Sequence, residues 1–224
     1  MVYPAVDKGT PEIVVMLVAF LSWRGVAILK EGSYMNIYLV RHGEVEHNRL
    51  GYYSNEDEDL NEKGIEQAEK LKTTVRGLDY DVCYCSPLKR AVHTAEIINS
   101  QDRLIVPIQL LAERDPMALH GKPIDFTDRE EYWSYYSTVE YGAEPIKGFF
   151  ERVYKFLDAL KARPYRNVLI VAHSGVSKAF YGYFNGIPAD GRFLHLGLEN
   201  CEMKKYWLEG VHDVLPGSHV ENWM

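Results

Sequence analysis

Two short apolar runs set the limits on what this chain can fold into. Asn36 to Val40 (NIYLV) and Val168 to Ala172 (VLIVA) carry no charge and show no helical period. Both are too short for a buried helix and read as strands covered on both faces. Each run stops at polar residues: Arg41-His42-Gly43-Glu44 after the first, His173-Ser174-Gly175 after the second. An apolar strand has little structural need for a histidine at its tip, and open α/β sheets place ligands beyond the carboxyl ends of their strands.

Between these runs the pattern alternates. Asn61 caps a predicted helix to about Arg76, with Ile65, Ala68, Leu71 and Val75 as its apolar stripe and Gly77 as its stop. Asp81 to Cys85 reads as a strand. Ser86-Pro87 then reads as an N-cap with proline in the first turn of a helix that buries Leu88, Ala91, Val92, Ala95 and Ile98, with Arg90 one turn in. Ile105 to Leu110 is a third expected strand, leading to Glu113. The stretch from Asp115 to Pro145, dense in tyrosine, tryptophan and acidic residues, is expected to pass over the site. Lys147 to Lys161 is an amphipathic helix, Val176 to Phe184 another, and Cys201 to Leu208 a last strand. Strands alternating with helices across short turns predict a three-layer αβα fold on a mostly parallel, doubly wound sheet.

One domain is expected over residues 35–208. Residues 1–34 read as an N-terminal appendage, either sequence translated from an early start or, second, a weak membrane anchor. Ile13 to Leu21 is too short to span a bilayer, and neither a basic start nor a small-residue cleavage pattern accompanies it. Residues 209–224 form a tail with no assigned role.

Of the 224 residues, 25 are Lys or Arg and 32 Asp or Glu, giving a net charge of −7. That balance excludes a nucleic-acid binder working through a basic surface and a polybasic membrane-surface protein. Any anion site must be a local concentration of positive charge. The three cysteines are too few for a disulfide framework. Cys83 and Cys85 share one side of a strand and read as buried, reduced thiols, which points to a reducing compartment, the cytoplasm. Nothing in the sequence sets the oligomeric state.

Arg41 with His42, Arg90, Glu113 and His173 all fall at strand ends or one turn into the next helix, so one edge of a parallel sheet gathers them. Two guanidinium forks suit phosphate oxygens, two imidazoles offer a nucleophile and a second donor, and a carboxyl offers a proton. Those are the parts of phosphoryl transfer through a covalent intermediate.

The motifs resemble the histidine phosphatase superfamily, also called phosphoglycerate mutase-like. RHGEVEHN (Arg41 to Asn48) is similar to its R-H-G-E/T-x-x-x-N signature. DLNEKGIEQA (Asp59 to Ala68) is similar to a second family stretch, with Asn61 where Thr or Ser is usual. SPLKRAVHTA (Ser86 to Ala95) matches S-x-x-x-R-A-x-x-T-A, LLAERD (Leu110 to Asp115) looks like the segment supplying the acid, and VLIVAHSG (Val168 to Gly175) like the one with the second histidine. The matches run in order over about 170 residues.

The resemblance implies that His42 attacks phosphorus and becomes a phosphohistidine. Arg41, Arg90 and His173 would hold the oxygens, with Asn48 and Ser174 lining the pocket. Glu113 would protonate the leaving oxygen and then deprotonate the attacking water. No metal and no cofactor is implied, and the partner is a small-molecule phosphate ester. Arg41 and Arg90 are expected to lower the pKa of His42, and the rate profile to be bell-shaped with an optimum at or below neutral pH. The other six histidines, His93, His120 and His195 among them, read as surface or packing residues.

The chain departs from the family pattern after the acid, with Pro116-Met117 and then Ala118-Leu119-His120. Three functions therefore stay open: a phosphatase hydrolysing phosphate monoesters, a phosphoglycerate mutase, and a non-catalytic module binding a phosphorylated ligand. Only 59 residues separate Glu113 from His173, short of the insertion mutases tend to carry. The tyrosines at 52–53, 132–136 and 141 are expected to pack within a cap, with stacking on a leaving group as the alternative.

Overall fold

The computed structural model describes residues 33–139 and 141–210. In chain order its strands are β1 (Ser33–Arg41), β2 (Val82–Cys85), β3 (Ile105–Pro107), β4 (Asn167–Ala172) and β5 (Met203–Gly210). Its helices are α1 (Glu46–Leu50), α2 (Glu62–Val75), α3 (Lys89–Ile98), α4 (Arg129–Tyr132), α5 (Ile146–Leu160) and α6 (Ser174–Asn185).

Strand alternation decides which side chains meet which layer. β4 sends Val168, Ile170 and Ala172 to one face and Leu169 and Val171 to the other. β1 divides Met35, Ile37 and Leu39 from Val40 in the same way. The first face is covered by α5 and α6 through Phe149, Phe150, Val153, Phe156 and Phe180. The second is covered by α2 and α3 through Ala68, Val75, Ala91, Ala95 and Ile98. A strand covered on both faces needs apolar residues at every position, which is why the two runs are unbroken. Each fully buried large side chain contributes roughly 1.5–3 kcal/mol, so these two layers dominate the stability.

The sheet order is β3-β2-β4-β1-β5. β2 pairs parallel with β3 and β4, β4 parallel with β1, and β5 runs antiparallel on the outer side of β1. The fold is thus the expected three-layer α/β arrangement, on a mixed five-stranded sheet.

Four local expectations differ. The third strand stops at Pro107 and gives way to a 3-10 turn at Gln109–Leu111. Proline has no N–H for the ladder, and this strand lies at the sheet edge, where such an ending is tolerated. The helix after β2 starts at Lys89 with Leu88 at its N-cap, so Ser86 does not cap it. In α2 the Asn61 side chain accepts from the Gly64 N–H as expected, but Ile65 is 39% exposed while Gly64 is buried. Finally, β1 starts at Ser33 and β5 continues to Gly210.

The expected appendage and tail otherwise lie outside the described residues. Among the described residues no helix is long and apolar enough to cross a membrane. Cys83, Cys85 and Cys201 are free, and burial pushes the Cys85 and Cys201 thiols up to about 12.

Candidate active site

The pairing register builds the centre of the site. Arg41 on β1 faces Ala172 on β4, so the next residues out, His42 and His173, stand side by side. The His42 N–H donates to the Ala172 carbonyl at 2.9 Å, and the two rings meet edge to face with centroids 5.0 Å apart. Neighbouring strands lie about 4.8 Å apart, so the rings inherit the spacing of the sheet. β2 flanks β4 on the other side: the Ser86 N–H donates to the Val171 carbonyl at 2.9 Å, and Ser86 Oγ lies 2.7 Å from His173 Nε2. One turn later Arg90 points inward, 3% exposed, its Nη1 donating to the Asn55 carbonyl at 2.8 Å.

Hydrogen bonds set both imidazole tautomers. His42 Nδ1 lies 2.7 Å from the Gly43 carbonyl oxygen, which can only accept. Nδ1 therefore holds the proton, leaving the lone pair on Nε2. Ser86 is fully buried, and among the described residues His173 Nε2 is the one acceptor its hydroxyl hydrogen reaches, so that hydroxyl donates to Nε2. His173 Nδ1 then carries the proton, and it has no partner.

Burial first, then the Arg90 and Arg41 charges, holds the pKa of His42 well below the usual imidazole value. Burial, Arg90, His42 and Arg41 do the same to His173. Both rings are neutral at physiological pH.

Two glycines allow this geometry by close backbone approach. A Cβ on Gly43 would sit 2.5 Å from the Gly64 carbonyl oxygen, and one on Gly64 would sit 2.1 Å from that of Glu44. The turn after His42 and the start of α2 therefore pack backbone on backbone. Asn61 Nδ2 and Lys63 Nζ add bonds to the Glu44 carboxylate at 3.1 and 2.9 Å. The glycine in each motif is needed by the other.

Arg41 Nη1 donates to the Leu198 carbonyl at 2.9 Å, and Asn48 Nδ2 to Ser54 Oγ at 3.3 Å. Among the described residues eight buried side-chain polar atoms lack a partner, and four of them gather here: Arg41 Nε, Arg90 Nε, His173 Nδ1 and Asn48 Oδ1. Buried polar groups normally find partners, so three unpartnered donors around one nucleophilic nitrogen describe a cup for an anion.

Glu113 closes the open side of the cup. Its Oε2 accepts from the Gly175 N–H at 3.0 Å, in the first turn of α6, and its Oε1 from the Arg114 N–H at 2.9 Å. A Cβ on Gly175 would lie 2.1 Å from Glu113 Oε1 and 2.7 Å from the Trp133 ring, so only glycine admits the carboxylate here. The loop carrying Glu113 is held by Arg152 of α5, which donates to the carbonyls of Leu110, Ala112 and Glu113 at 2.8–2.9 Å and pairs with Glu144.

All seven residues singled out by the sequence thus come to one place. Arg41, His42, Asn48, Arg90, Glu113 and Ser174 line an open cavity of about 1800 Å³, with His173 buried at the side of His42. Of the other histidines, His93, His120 and His195 are partly or largely exposed, and they also line the cavity. His93 pairs with Asp59 at 2.7 Å and His120 with Asp115 at 3.2 Å. Glu56, Asp115 and His120 bring ligand-type atoms within 4.8 Å of one another at the rim.

The tyrosines pack within the wall of the cavity, as expected of a cap. Tyr132 and Trp133 are buried and pack together, while Tyr52, Tyr53, Tyr132 and Trp133 also line the cavity.

Sequence reasoning missed Ser86 as the partner of His173, Arg152 as the anchor of the acid, and Lys178. Lys178 is 3% exposed, donates to Ser174 Oγ at 3.0 Å and lies over the Trp133 ring at 4.8 Å. A lone lysine inside the apolar helix SGVSKAFYGYFN was the available signal.

The family model of the histidine phosphatase superfamily (branch 1) matches residues 37–213. The adenosylcobalamin/alpha-ribazole phosphatase of Escherichia coli K12 is 33% identical over 168 residues, covering 70% of this chain and 82% of that protein. Phosphoserine phosphatase 1 of Hydrogenobacter thermophilus is 28% identical over 191 residues, covering 81% and 90%. The crystal structure of the alpha-ribazole phosphatase from Shigella flexneri superposes with a TM-score of 0.67 at 26% identity, covering 84% of this chain and all of that one (100%). With the sheet, the paired imidazoles and these matches in hand, the chain belongs to the histidine phosphatase superfamily.

Proposed function

We propose that this protein is a metal-independent phosphatase that hydrolyses phosphate monoesters through a phosphohistidine. The observation that carries the reading is the free lone pair of His42 Nε2 in a site where Arg41, Arg90 and His173 each keep an unpartnered nitrogen. In the first step His42 Nε2 attacks phosphorus, the N–P bond forms, and the bond from phosphorus to the ester oxygen breaks. Glu113 gives its proton to that oxygen as the alcohol leaves. In the second step Glu113 takes a proton from water, the water oxygen bonds to phosphorus, and the N–P bond breaks to release inorganic phosphate. Arg41, Arg90 and the His173 Nδ1–H stabilise the charge that spreads over the three equatorial oxygens in both steps.

The depressed pKa of His42 supports this division of roles, because the nucleophile stays neutral well into acid. Asn48 and Ser174 line the pocket beside the phosphoryl group. The short segment of 59 residues between Glu113 and His173 favours hydrolysis over return of the phosphoryl group to a bound sugar acid. The free cysteines, with raised thiol pKa values, fit a reducing cytoplasm.

The test is incubation of the full chain with p-nitrophenyl phosphate in chelator, with acid-labile label trapped on the protein by rapid quench. Phosphate release with label on His42 is expected. Isomerisation of 3-phosphoglycerate in the presence of 2,3-bisphosphoglycerate would favour the mutase, and absence of both activities a binding module.

A further inference from the structure

Beyond Glu113, the wall of the cavity holds a second concentration of positive charge that the phosphoryl-transfer steps do not use. Lys178 Nζ is buried, yet among the described residues no carboxylate lies within ion-pair distance of it. Its protein partners are the neutral Ser174 Oγ at 3.0 Å and the face of Trp133 at 4.8 Å. Glu113 and Glu199 act on it only from a distance. A buried ammonium with no counter-charge is costly, and such groups are ordinarily paired or bound to a ligand. Burial lowers its pKa to about 8, so the charge persists at neutral pH.

Arg129 of α4 lines the same cavity and is close enough to Lys178 for their charges to repel. Its Nε is buried without a partner, and among the described residues its guanidinium forms no ion pair. Two cations from distant elements therefore line one cavity, with Lys178 over the ring of Trp133, which packs at the Gly175 position beside the Glu113 carboxylate.

The geometry points to a carboxylate-binding subsite formed by Lys178 and Arg129, which selects phosphate monoesters whose alcohol carries a carboxylate. This rests on the phosphatase reading and deepens it by naming the substrate class. The phosphoryl group occupies the Arg41–Arg90 cup, the ester oxygen faces Glu113, and the carboxylate of the departing alcohol accepts from Lys178 Nζ and the Arg129 guanidinium. Lys178 and Arg129 are specificity residues here, and the bond-breaking groups are unchanged.

O-phosphoserine and phosphoethanolamine differ by that one carboxylate and form the matched pair for the test. For the full chain, kcat/KM for O-phosphoserine is expected to exceed that for phosphoethanolamine by about tenfold or more, the worth of one charge-assisted hydrogen bond. Lys178→Met and Arg129→Met are each expected to cut that ratio by about fivefold or more, whatever either does to the absolute rates. A wild-type ratio near one overturns the subsite, as does a ratio unmoved by Lys178→Met. An equal loss on both esters overturns it too, because that would place the ammonium in the phosphoryl cup. Should Lys178→Met lose its fold by circular dichroism, the ratio in Arg129→Met decides by the same criterion. If p-nitrophenyl phosphate and both esters all release no phosphate, the phosphatase reading itself falls and takes the subsite with it.

Discussion

The two sides of the cavity are built in opposite ways. The phosphoryl cup hangs on sheet tips: His42 follows β1, His173 follows β4, and Arg90 lies one turn beyond β2. Its positions follow from strand register and backbone hydrogen bonds. The leaving-group wall is made of Glu113, Trp133, Arg129 and Lys178, three of them in the stretch of loops and short turns around α4 between β3 and α5. There long side chains do the positioning, with Arg152 reaching from α5 to three carbonyls and Arg114 stacking on Tyr132 at 4.1 Å. A rigid sheet fixes the chemistry common to all phosphate esters, and a pinned loop sets what the ester is made of.

If the cup carries the covalent step, its removal should have the largest effect. His42→Ala is expected to lower kcat for p-nitrophenyl phosphate by about 10³-fold or more and to abolish the trapped label, while the thermal melt persists. Retention of a tenth of the wild-type rate would sink the covalent account.

On the other side, Gly175→Ala sets a methyl where the Glu113 carboxylate sits. A general acid contributes about 10²–10⁴, so kcat for an alkyl phosphate should fall by about 10²-fold. The p-nitrophenyl ester, whose leaving group needs little proton assistance, should fall far less. Equal losses on the two esters would mean that Glu113 acts other than as an acid.

A smaller effect is expected when the wall loses its anchor. Arg152→Met removes charge-assisted bonds to the acid-bearing loop, which should lower kcat about tenfold and stability by about 3 kcal/mol in urea. The expected signature is a loss in kcat with KM for phosphate esters little changed. A melt lowered with kcat intact would mean that Arg152 serves stability alone.

The cup alone carries a pH dependence of stability, with little expected effect on activity above pH 6.5. Both cup histidines have folded-state pKa values below the unfolded value of 6.5, so below about pH 6.5 the unfolded chain binds protons that the native state does not. Stability should fall as pH falls below 6.5, with a slope of up to roughly 2.7 kcal/mol per pH unit from two imidazoles. His173→Asn should halve that contribution. A urea midpoint flat between pH 6.5 and 5 would show that the rings are not held neutral.

Most of the cup could be read in the sequence, and most of the wall, Glu113 apart, could not. The cup was legible because register is a local property of apolar runs: two strands that end in histidine must place those residues together if they pair in parallel. Arg90 was legible from its place after a strand and a turn, although the cap assigned to Ser86 was wrong. That hydroxyl orients His173, a contact across the sheet that no sequence period records. Lys178 was not singled out, because its neighbours Trp133 and Gly197 come from segments on either side of α6. Pro107 was visible, but its consequence required knowing that β3 lies at the edge.

The sequence by itself determined the layers, the strand tips and the residues of the phosphoryl cup, since period-two burial and short connections leave a parallel sheet few alternatives. Only the tertiary structure decided the tautomers of the two imidazoles, the anchoring of Glu113, and the burial of Lys178 beside Trp133 without a counter-charge. Those depend on contacts between segments far apart in the chain, where the energy of a hydrogen bond or an unpaired charge is set by surroundings that no single segment contains.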